Sequence, residues 1–164
     1  MKALAEISLN RAAIRVDQPL GTFYAFSLPA DILNDIAYSF PALAVERMDS
    51  EWSDDKGYSI LGSQRAEKKK RLEEIASYIQ TTDATFPNAI ILGVNYKDGQ
   101  YVEDEGERWI ASKDTEGRWT LRIPNIGQKS ASIIDGQHRL HAFDKLPPSA
   151  PERKMELLCV VFLE

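Results

Sequence analysis

Cysteine is nearly absent from this chain of 164 residues, which carries one, Cys159. One cysteine cannot form a disulfide within the chain, and its apolar neighbours indicate a buried strand position. A reactive thiol would need cationic or helix-end surroundings. The sequence also lacks an apolar run long enough to cross a bilayer, and Glu6 follows the start too closely for a secretion signal. These absences predict a cytoplasmic protein with no membrane segment.

A surplus of positive charge is missing as well. Lysine and arginine number 20 against 25 acidic residues, and the net charge is −5. That balance argues against a broad, nonspecific grip on DNA, but it leaves room for a local basic groove. The densest basic segment runs from Arg65 to Arg71. We interpret its lysines as a solvated helix face paired with nearby glutamates, and treat Arg65 separately as a candidate ligand.

Two common catalytic loops are not found in the sequence. There is no Gly-x-x-x-x-Gly-Lys-Ser/Thr loop for nucleotide phosphates and no Gly-x-Ser-x-Gly turn for a serine nucleophile. A serine hydrolase is therefore not supported. Any use of a nucleotide has to depend on a different phosphate-binding segment.

Residues 130–143 (SASIIDGQHRLHAF) are such a segment. The pattern predicts a short buried strand that ends at Asp135 and Gly136 and continues at once into a helix. The unpaired N–H groups of a helix start favour an anion, and glycine allows close approach to the backbone. An arginine fork such as Arg139 adds directed charge-assisted bonds. We call residues 135–139 (DGQHR) the DGQHR turn.

Spacing alone leaves simpler interpretations open. Asp135 and Arg139 are four residues apart and can form an ordinary ion pair worth about 0.2–0.5 kcal/mol. Gly136 can serve the turn alone. His138 and His141 are three apart and suit a metal together with a carboxylate, but no cysteine or second histidine pair supports this, so we assign no metal site.

Residues 133–140 (IIDGQHRL) resemble the signature of the DGQHR-domain proteins. That family is related to the ParB/sulfiredoxin superfamily and includes the DndB-type component of bacterial DNA phosphorothioation (sulfur modification) systems. A second similarity lies upstream, in residues 62–65 (GSQR), the basic helix after them, and residues 86–92 (FPNAIIL). Two motifs in the same order, over about residues 57 to 143, are more specific than one.

The resemblance implies that a nucleoside triphosphate or a nucleic-acid phosphate is held at the DGQHR turn. The implied phosphate- or nucleotide-binding residues are Gln64, Arg65, Gly136, Gln137, His138 and Arg139. The implied catalytic residues are Asp135, His138 and Arg139, with His138 as donor or proton carrier and Asp135 orienting Arg139, binding a metal ion or positioning water. The implied cofactor is ATP or another nucleoside triphosphate with Mg²⁺.

The resemblance also implies a role in a DNA-modification or phage-defence system. The leading expectation is a nucleotide-binding domain that regulates DNA phosphorothioation, with hydrolysis of the nucleotide as a candidate activity. Its partners would be a nucleoside triphosphate or DNA, and proteins of the modification system. The alternatives are a noncatalytic DNA-binding transcriptional regulator and a ParB-like nuclease. Sulfinic-acid reduction is disfavoured, because Gln137 stands where sulfiredoxins have their cysteine.

The expected fold is α+β: a mixed, mostly antiparallel sheet with packed helices, as in ParB/sulfiredoxin-like proteins. Residues 1–164 are expected to form one domain, interpreted as the N-terminal part of a longer protein because family members are longer. The predicted helices span about 29–40 and 63–80, and the predicted strands 13–17, 21–27, 58–61 and 155–163. Residues 88–123 are expected to form an antiparallel meander with Trp109 and Trp119 packed against each other across a hairpin.

Overall fold

The computed structural model describes residues 8–39, 43–46, 58–61, 69–97, 100–124 and 126–163, with the backbone alone for 43–46 and 58–61. The helices are α1 (Ala30–Ile36), α2 (Lys69–Ile79) and α3 (Gln137–Ala142), with 3₁₀ turns at Phe143–Lys145 and Pro151–Lys154. The strands are β1 (Leu9–Gln18), β2 (Gly21–Pro29), β3 (Ala37–Tyr38), β4 (Leu43–Glu46), β5 (Tyr58–Leu61), β6 (Ile90–Val94), β7 (Tyr96–Lys97), β8 (Gln100–Tyr101), β9 (Ile110–Lys113), β10 (Trp119–Ile123), β11 (Ala131–Asp135) and β12 (Glu156–Phe162).

The main sheet is mixed and has the strand order β3-β11-β6-β12-β2-β1-β10-β9. Most neighbours are antiparallel, but β12 runs parallel to β6 and β11 runs parallel to β3. The helices and one face of this sheet share a single apolar core. The expectation of a mixed sheet with packed helices is confirmed, while the closer likeness to ParB/sulfiredoxin folds stays a prediction.

Strand β12 lies at the centre of the core. Leu157, Cys159 and Val161 are buried on one face, and the strand pairs with β2 on one side and β6 on the other. So apolar a strand needs neighbours on both sides, because an edge would leave its backbone and side chains in water. The sequence-based prediction of a buried final strand is therefore confirmed.

Helix α1 is shorter than predicted. It ends at Ile36 and not near Phe40, because Ala37 is already extended (φ −96°, ψ 150°) and pairs with Ala131 of β11. The N–H of Ser130 donates to the carbonyl of Ile36 at 2.8 Å and fixes this change of direction. Pairing with a distant strand therefore outweighs the local apolar periodicity.

The predicted meander over residues 88–123 is wrong in part. The β9–β10 hairpin forms as expected and joins β1, but β6 lies between β11 and β12. Among the described strands, β7 and β8 pair only with each other. The apolar strand β6 gains more by burial at the sheet centre than it would beside its exposed sequence neighbours.

The two tryptophans do not pack against each other as predicted. Trp109 is 1% exposed and packs edge-on to Phe26, with its Nε1–H donating to Ser130 Oγ at 2.9 Å. Trp119 lies opposite Lys113 and packs on Tyr24, 5.5 Å between ring centroids. Both rings serve packing, but each has a different partner.

The described part of the predicted helix over residues 63–80 is confirmed, as helix α2. Leu72, Ala76 and Ile79 are buried along one face of α2, and residues 63–68 lie outside the described ranges. Lys69 and Lys70 are solvated and pair with Glu73 and Glu74, as predicted.

Within the described ranges, each helix is too short or too polar to cross a bilayer. The predicted strand at residues 58–61 is also confirmed and pairs antiparallel with β4.

We expect Cys159 to resist thiol reagents in the native protein. Burial raises the pKa of its thiol to about 12, well above the ordinary value near 9 of a solvated cysteine. Below pH 9 the thiol is protonated in both states. Above pH 9 the unfolded chain ionises first, so the free energy of unfolding should fall by about 1.4 kcal/mol per pH unit from this group.

Labelling with an aromatic disulfide at pH 8, with and without denaturant, tests this expectation. The native thiol should react at the rate of unfolding and the denatured thiol at once. A Cys159→Val variant should lose the part of the pH dependence above pH 9 that the thiol contributes. Fast labelling of the native protein would contradict the buried position.

Candidate functional site

The DGQHR turn joins the end of β11 to the start of α3. Gly136 has φ +96° and ψ 10°, in the left-handed region that glycine adopts without strain. A Cβ at this position would lie 2.6 Å from Ile90 Cδ1 and 3.1 Å from Arg139 Nη2. Glycine is therefore required both by the backbone conformation and by the close approach of Ile90 and Arg139.

Arg139 connects the turn to the start of β6. Its guanidinium donates Nη1–H to the carbonyl of Asn88 and Nη2–H to the carbonyl of Ala89, the latter at 3.1 Å. The side chain is 21% exposed. A guanidinium has five N–H donors in a planar fork, so two carbonyls do not exhaust it. Arg139 is held in one orientation, with one edge committed to the protein backbone.

Asp135 pairs with Arg139 across the turn. Its Oδ2 lies 3.5 Å from Arg139 Nη2, and its side chain is 68% exposed. The simple interpretation from spacing, an ion pair four residues apart, is thus present in the structure. The pair is not intrahelical, because Asp135 is the last residue of β11 and Arg139 lies in α3. Asp135 is positioned to orient Arg139, as one of its implied roles requires.

The two histidines of α3 have different surroundings. His138 is half-buried beside the turn, while His141 Nε2 lies 3.4 Å from Ser39 Oγ, just after β3. Gln137 is 3% exposed. Within the described ranges, no three histidine, cysteine or acidic side chains are grouped as metal ligands.

The described parts of the two motifs that carry the family resemblance meet in the structure. Strands β6 and β11 are neighbours, and Arg139 binds the segment that leads into β6. Phe86 packs edge-on to Phe143 at 6.1 Å and to Tyr78 of α2 at 5.5 Å between ring centroids. Helix α2 also packs against α3. Helix α2, residues 86–92 and the DGQHR turn therefore form one contiguous region.

Gln64 and Arg65, the remaining implied ligands, lie outside the described residues. Their convergence on the DGQHR turn stays a prediction. The described part of this helix, α2, begins at Lys69 and packs against α3.

Sequence reasoning missed a buried hydrogen-bond network around Asn95, at the opposite end of β6. Asn95 is 6% exposed with φ +67°, and its side chain accepts from the Trp109 N–H and donates to the Trp109 and Leu163 carbonyls, at 2.8, 3.0 and 3.1 Å. An open cleft of about 360 Å³ lies beside it. An asparagine directly after an apolar strand was the available signal, since asparagine tolerates the left-handed region.

Residues 11–164 match a family model described as DndB: DNA-sulfur modification-associated. The match runs from β1 to the end of the chain and includes both motifs. No curated protein and no solved structure gives a significant match.

Proposed function

This chain belongs to the DndB family of DNA-sulfur modification-associated proteins, and on that premise we propose that it regulates this modification by binding a nucleoside triphosphate at the DGQHR turn. The observation that carries the proposal is the orientation of Arg139 by two backbone carbonyls and Asp135. An arginine held in advance loses little entropy when it binds a phosphate, so its remaining donors are well suited to that ligand.

The residues of the turn have separate roles in this proposal. Arg139 and the backbone at Gly136 and Gln137 contact the phosphates, and Gln64 and Arg65 approach them from the start of the helix that contains α2. His138 donates a hydrogen bond or carries a proton, and Asp135 orients Arg139. Bound Mg²⁺ would neutralise phosphate charge, and Asp135 is the exposed carboxylate of the turn that suits it. Hydrolysis of the nucleotide is the candidate reaction.

A second function, a DNA-binding regulator without catalysis, is favoured by one observation. The exposed basic residues Lys69 and Lys70 lie in α2, which packs against α3. A duplex lying on this region would place its phosphates within reach of both helices. A nuclease has less support, because its metal ion would need grouped acidic ligands and the described residues contain no such group.

Calorimetric titration with ATP, CTP, GTP and a short duplex, each with and without Mg²⁺, tests the proposal. We expect saturable binding of a nucleotide, weakened about tenfold or more by Arg139→Ala, which corresponds to at least about 1.4 kcal/mol. His138→Gln should also weaken binding, and it leaves the contacts of Arg139 with the backbone in place.

Arg118→Ala is the matched control, since Arg118, like Arg139, forms an ion pair with an aspartate four residues earlier, Asp114, but lies in the β9–β10 hairpin. Denaturation curves of all variants separate lost binding from lost folding. Duplex binding that weakens steeply with salt, in the absence of nucleotide binding, would favour the DNA-binding regulator. If no titration showed binding, the turn would be structural in this chain, or a part of the longer protein would be needed to complete the site, and the proposal for this chain would be overturned.

A further inference from the structure

A break in the pairing of β11 turns the side chain of Asp135 towards solvent. Ile133 lies opposite Leu92 and Asp135 lies opposite Ile91, so β11 contains one extra residue, Ile134, as a β-bulge. In an unbroken strand Asp135 would lie on the same face as Ile133, which is fully buried. The side chain of Asp135 is instead 68% exposed. The bulge therefore places a solvated carboxylate at the front of the DGQHR turn.

The position of Arg139 depends mainly on the backbone around it. The carbonyls of Asn88 and Ala89 accept from its Nη1–H and Nη2–H, and a Cβ added at Gly136 would lie 3.1 Å from Nη2. Asp135 Oδ2 lies 3.5 Å from Nη2, farther than the roughly 2.7–2.9 Å of a strong charge-assisted hydrogen bond. Asp135 thus completes the orientation of Arg139, but the guanidinium stays in place when the carboxylate moves away.

A phosphate that binds Arg139 competes with Asp135 for the same nitrogen. Nη2 has two N–H groups, and one of them donates to the Ala89 carbonyl. Asp135 Oδ2 faces this nitrogen as well. A phosphate oxygen bound to Nη2 would therefore lie beside the carboxylate, and two negative charges so close together repel each other. A bare anion has to displace Asp135 before it has full use of Arg139.

A divalent cation that arrives with the ligand reverses this repulsion. Mg²⁺ is usually bound by one or two carboxylates together with the phosphates of a nucleotide. Asp135 is an exposed carboxylate directly beside the arginine, so it suits such a cation. The described residues contain no group of three metal ligands that would hold the ion by themselves. The cation therefore depends on the phosphates, and the phosphates depend on the cation to neutralise Asp135.

We infer that Asp135 is the residue that selects the ligand of this site. It disfavours bare phosphate, sulfate and the phosphodiester of DNA, because each meets its negative charge. It admits a polyphosphate that carries a divalent cation, because the carboxylate then turns from Arg139 to the cation. The inference rests on the proposed phosphate site and goes beyond it by naming the ligand class, a metal-bound polyphosphate chain.

Calorimetric titration with inorganic tripolyphosphate tests the inference, since this probe lacks the base and the sugar of a nucleotide. Each titration is made with excess Mg²⁺ and again in buffer stripped of divalent cations. The unmodified chain should bind the probe at least about tenfold more tightly with Mg²⁺. Asp135→Asn removes the charge but keeps a hydrogen-bond acceptor. It should bind the metal-free probe at least about tenfold more tightly than the unmodified chain does, and lose most of the advantage of Mg²⁺.

Glu116→Gln is the matched control. Glu116 is as exposed as Asp135, at 68%, and it also pairs with an arginine, Arg118, but it lies in the β9–β10 hairpin. The substitution changes the net charge equally and should leave both affinities unchanged. Asp135→Ser removes the same charge with a shorter side chain and serves as the second variant. Denaturation curves verify that each variant folds.

The outcomes separate this inference from the proposed function. Weaker binding of the metal-free probe by Asp135→Asn, or the same dependence on Mg²⁺ as in the unmodified chain, would overturn the inference and leave the nucleotide proposal in place. Binding of the probe by Asp135→Asn, with no nucleotide bound by the unmodified chain, would support the inference and overturn the proposed function. No binding by any of the chains would overturn both.

Discussion

Gly136→Ala is expected to lower the free energy of unfolding by about 3 kcal/mol or more, since two costs add. A non-glycine residue in the left-handed region costs about 1–2 kcal/mol, and forcing a methyl group into a packed site costs about 1–3 kcal/mol. Both apply here, because φ is +96° and the added Cβ would lie 2.6 Å from Ile90 Cδ1. Urea denaturation followed by circular dichroism measures the sum.

Two further variants separate the costs. Gly21 also has a positive φ, +143°, but its added Cβ meets nothing within 4 Å, so Gly21→Ala should show the conformational cost alone. Ile90→Val removes the Cδ1 methyl that the new Cβ would strike. Gly136→Ala should therefore cost less in the Ile90→Val background than in the unmodified chain. Equal costs in both backgrounds would show that the clash with Ile90 is not what excludes a side chain.

Asn95→Ala is expected to destabilise the protein by about 4 kcal/mol. The substitution leaves the N–H and carbonyl of Trp109 and the carbonyl of Leu163 without their side-chain partner, and each such loss costs about 1–3 kcal/mol in the interior. Alanine also tolerates φ +67° less well than asparagine does. The loss should be visible as a large drop in the denaturation midpoint with an unchanged slope.

Asn34→Ala is the control for a buried asparagine. Among the described residues its side chain donates one hydrogen bond to the backbone, from Nδ2 to the Leu140 carbonyl at 3.3 Å, and it lies within α1. We expect a cost of about 1 kcal/mol there. Asn95→Asp adds a second test, because the carboxylate still accepts from Trp109 N–H but cannot donate to the two carbonyls. A mild effect of Asn95→Ala, similar to that of Asn34→Ala, would show that water replaces the hydrogen bonds of the Asn95 side chain.

The local pattern of the chain accounts for the elements that depend on neighbouring residues. The turn at Gly136, the buried face of α2 and the apolar strand around Cys159 were all predictable, because each is set by spacing of three or four residues or by alternation. The resemblance to DndB-type proteins, drawn from the order of two motifs, is confirmed by the family match. The phosphate-binding roles of residues 64, 65 and 135–139 stay predictions.

Contacts between distant segments were not predictable in the same way. Nothing near Trp109 in the sequence indicates that its ring meets Phe26 and Ser130, and the end of α1 depends on a strand about a hundred residues later. The central place of β6 is a similar case. Such pairings are decided by the burial of whole strands, which summed local propensities do not contain.

The sequence by itself therefore determined which residues form the DGQHR turn, that the turn needs a glycine, and which family the chain resembles. Tertiary structure alone decided that Arg139 is anchored to the carbonyls of Asn88 and Ala89, and that β6 lies between β11 and β12 in the main sheet. The reason is physical: backbone conformation and helix periodicity act over a few residues. Hydrogen-bond partners and buried faces are chosen by the packing of segments that the chain brings together from far apart.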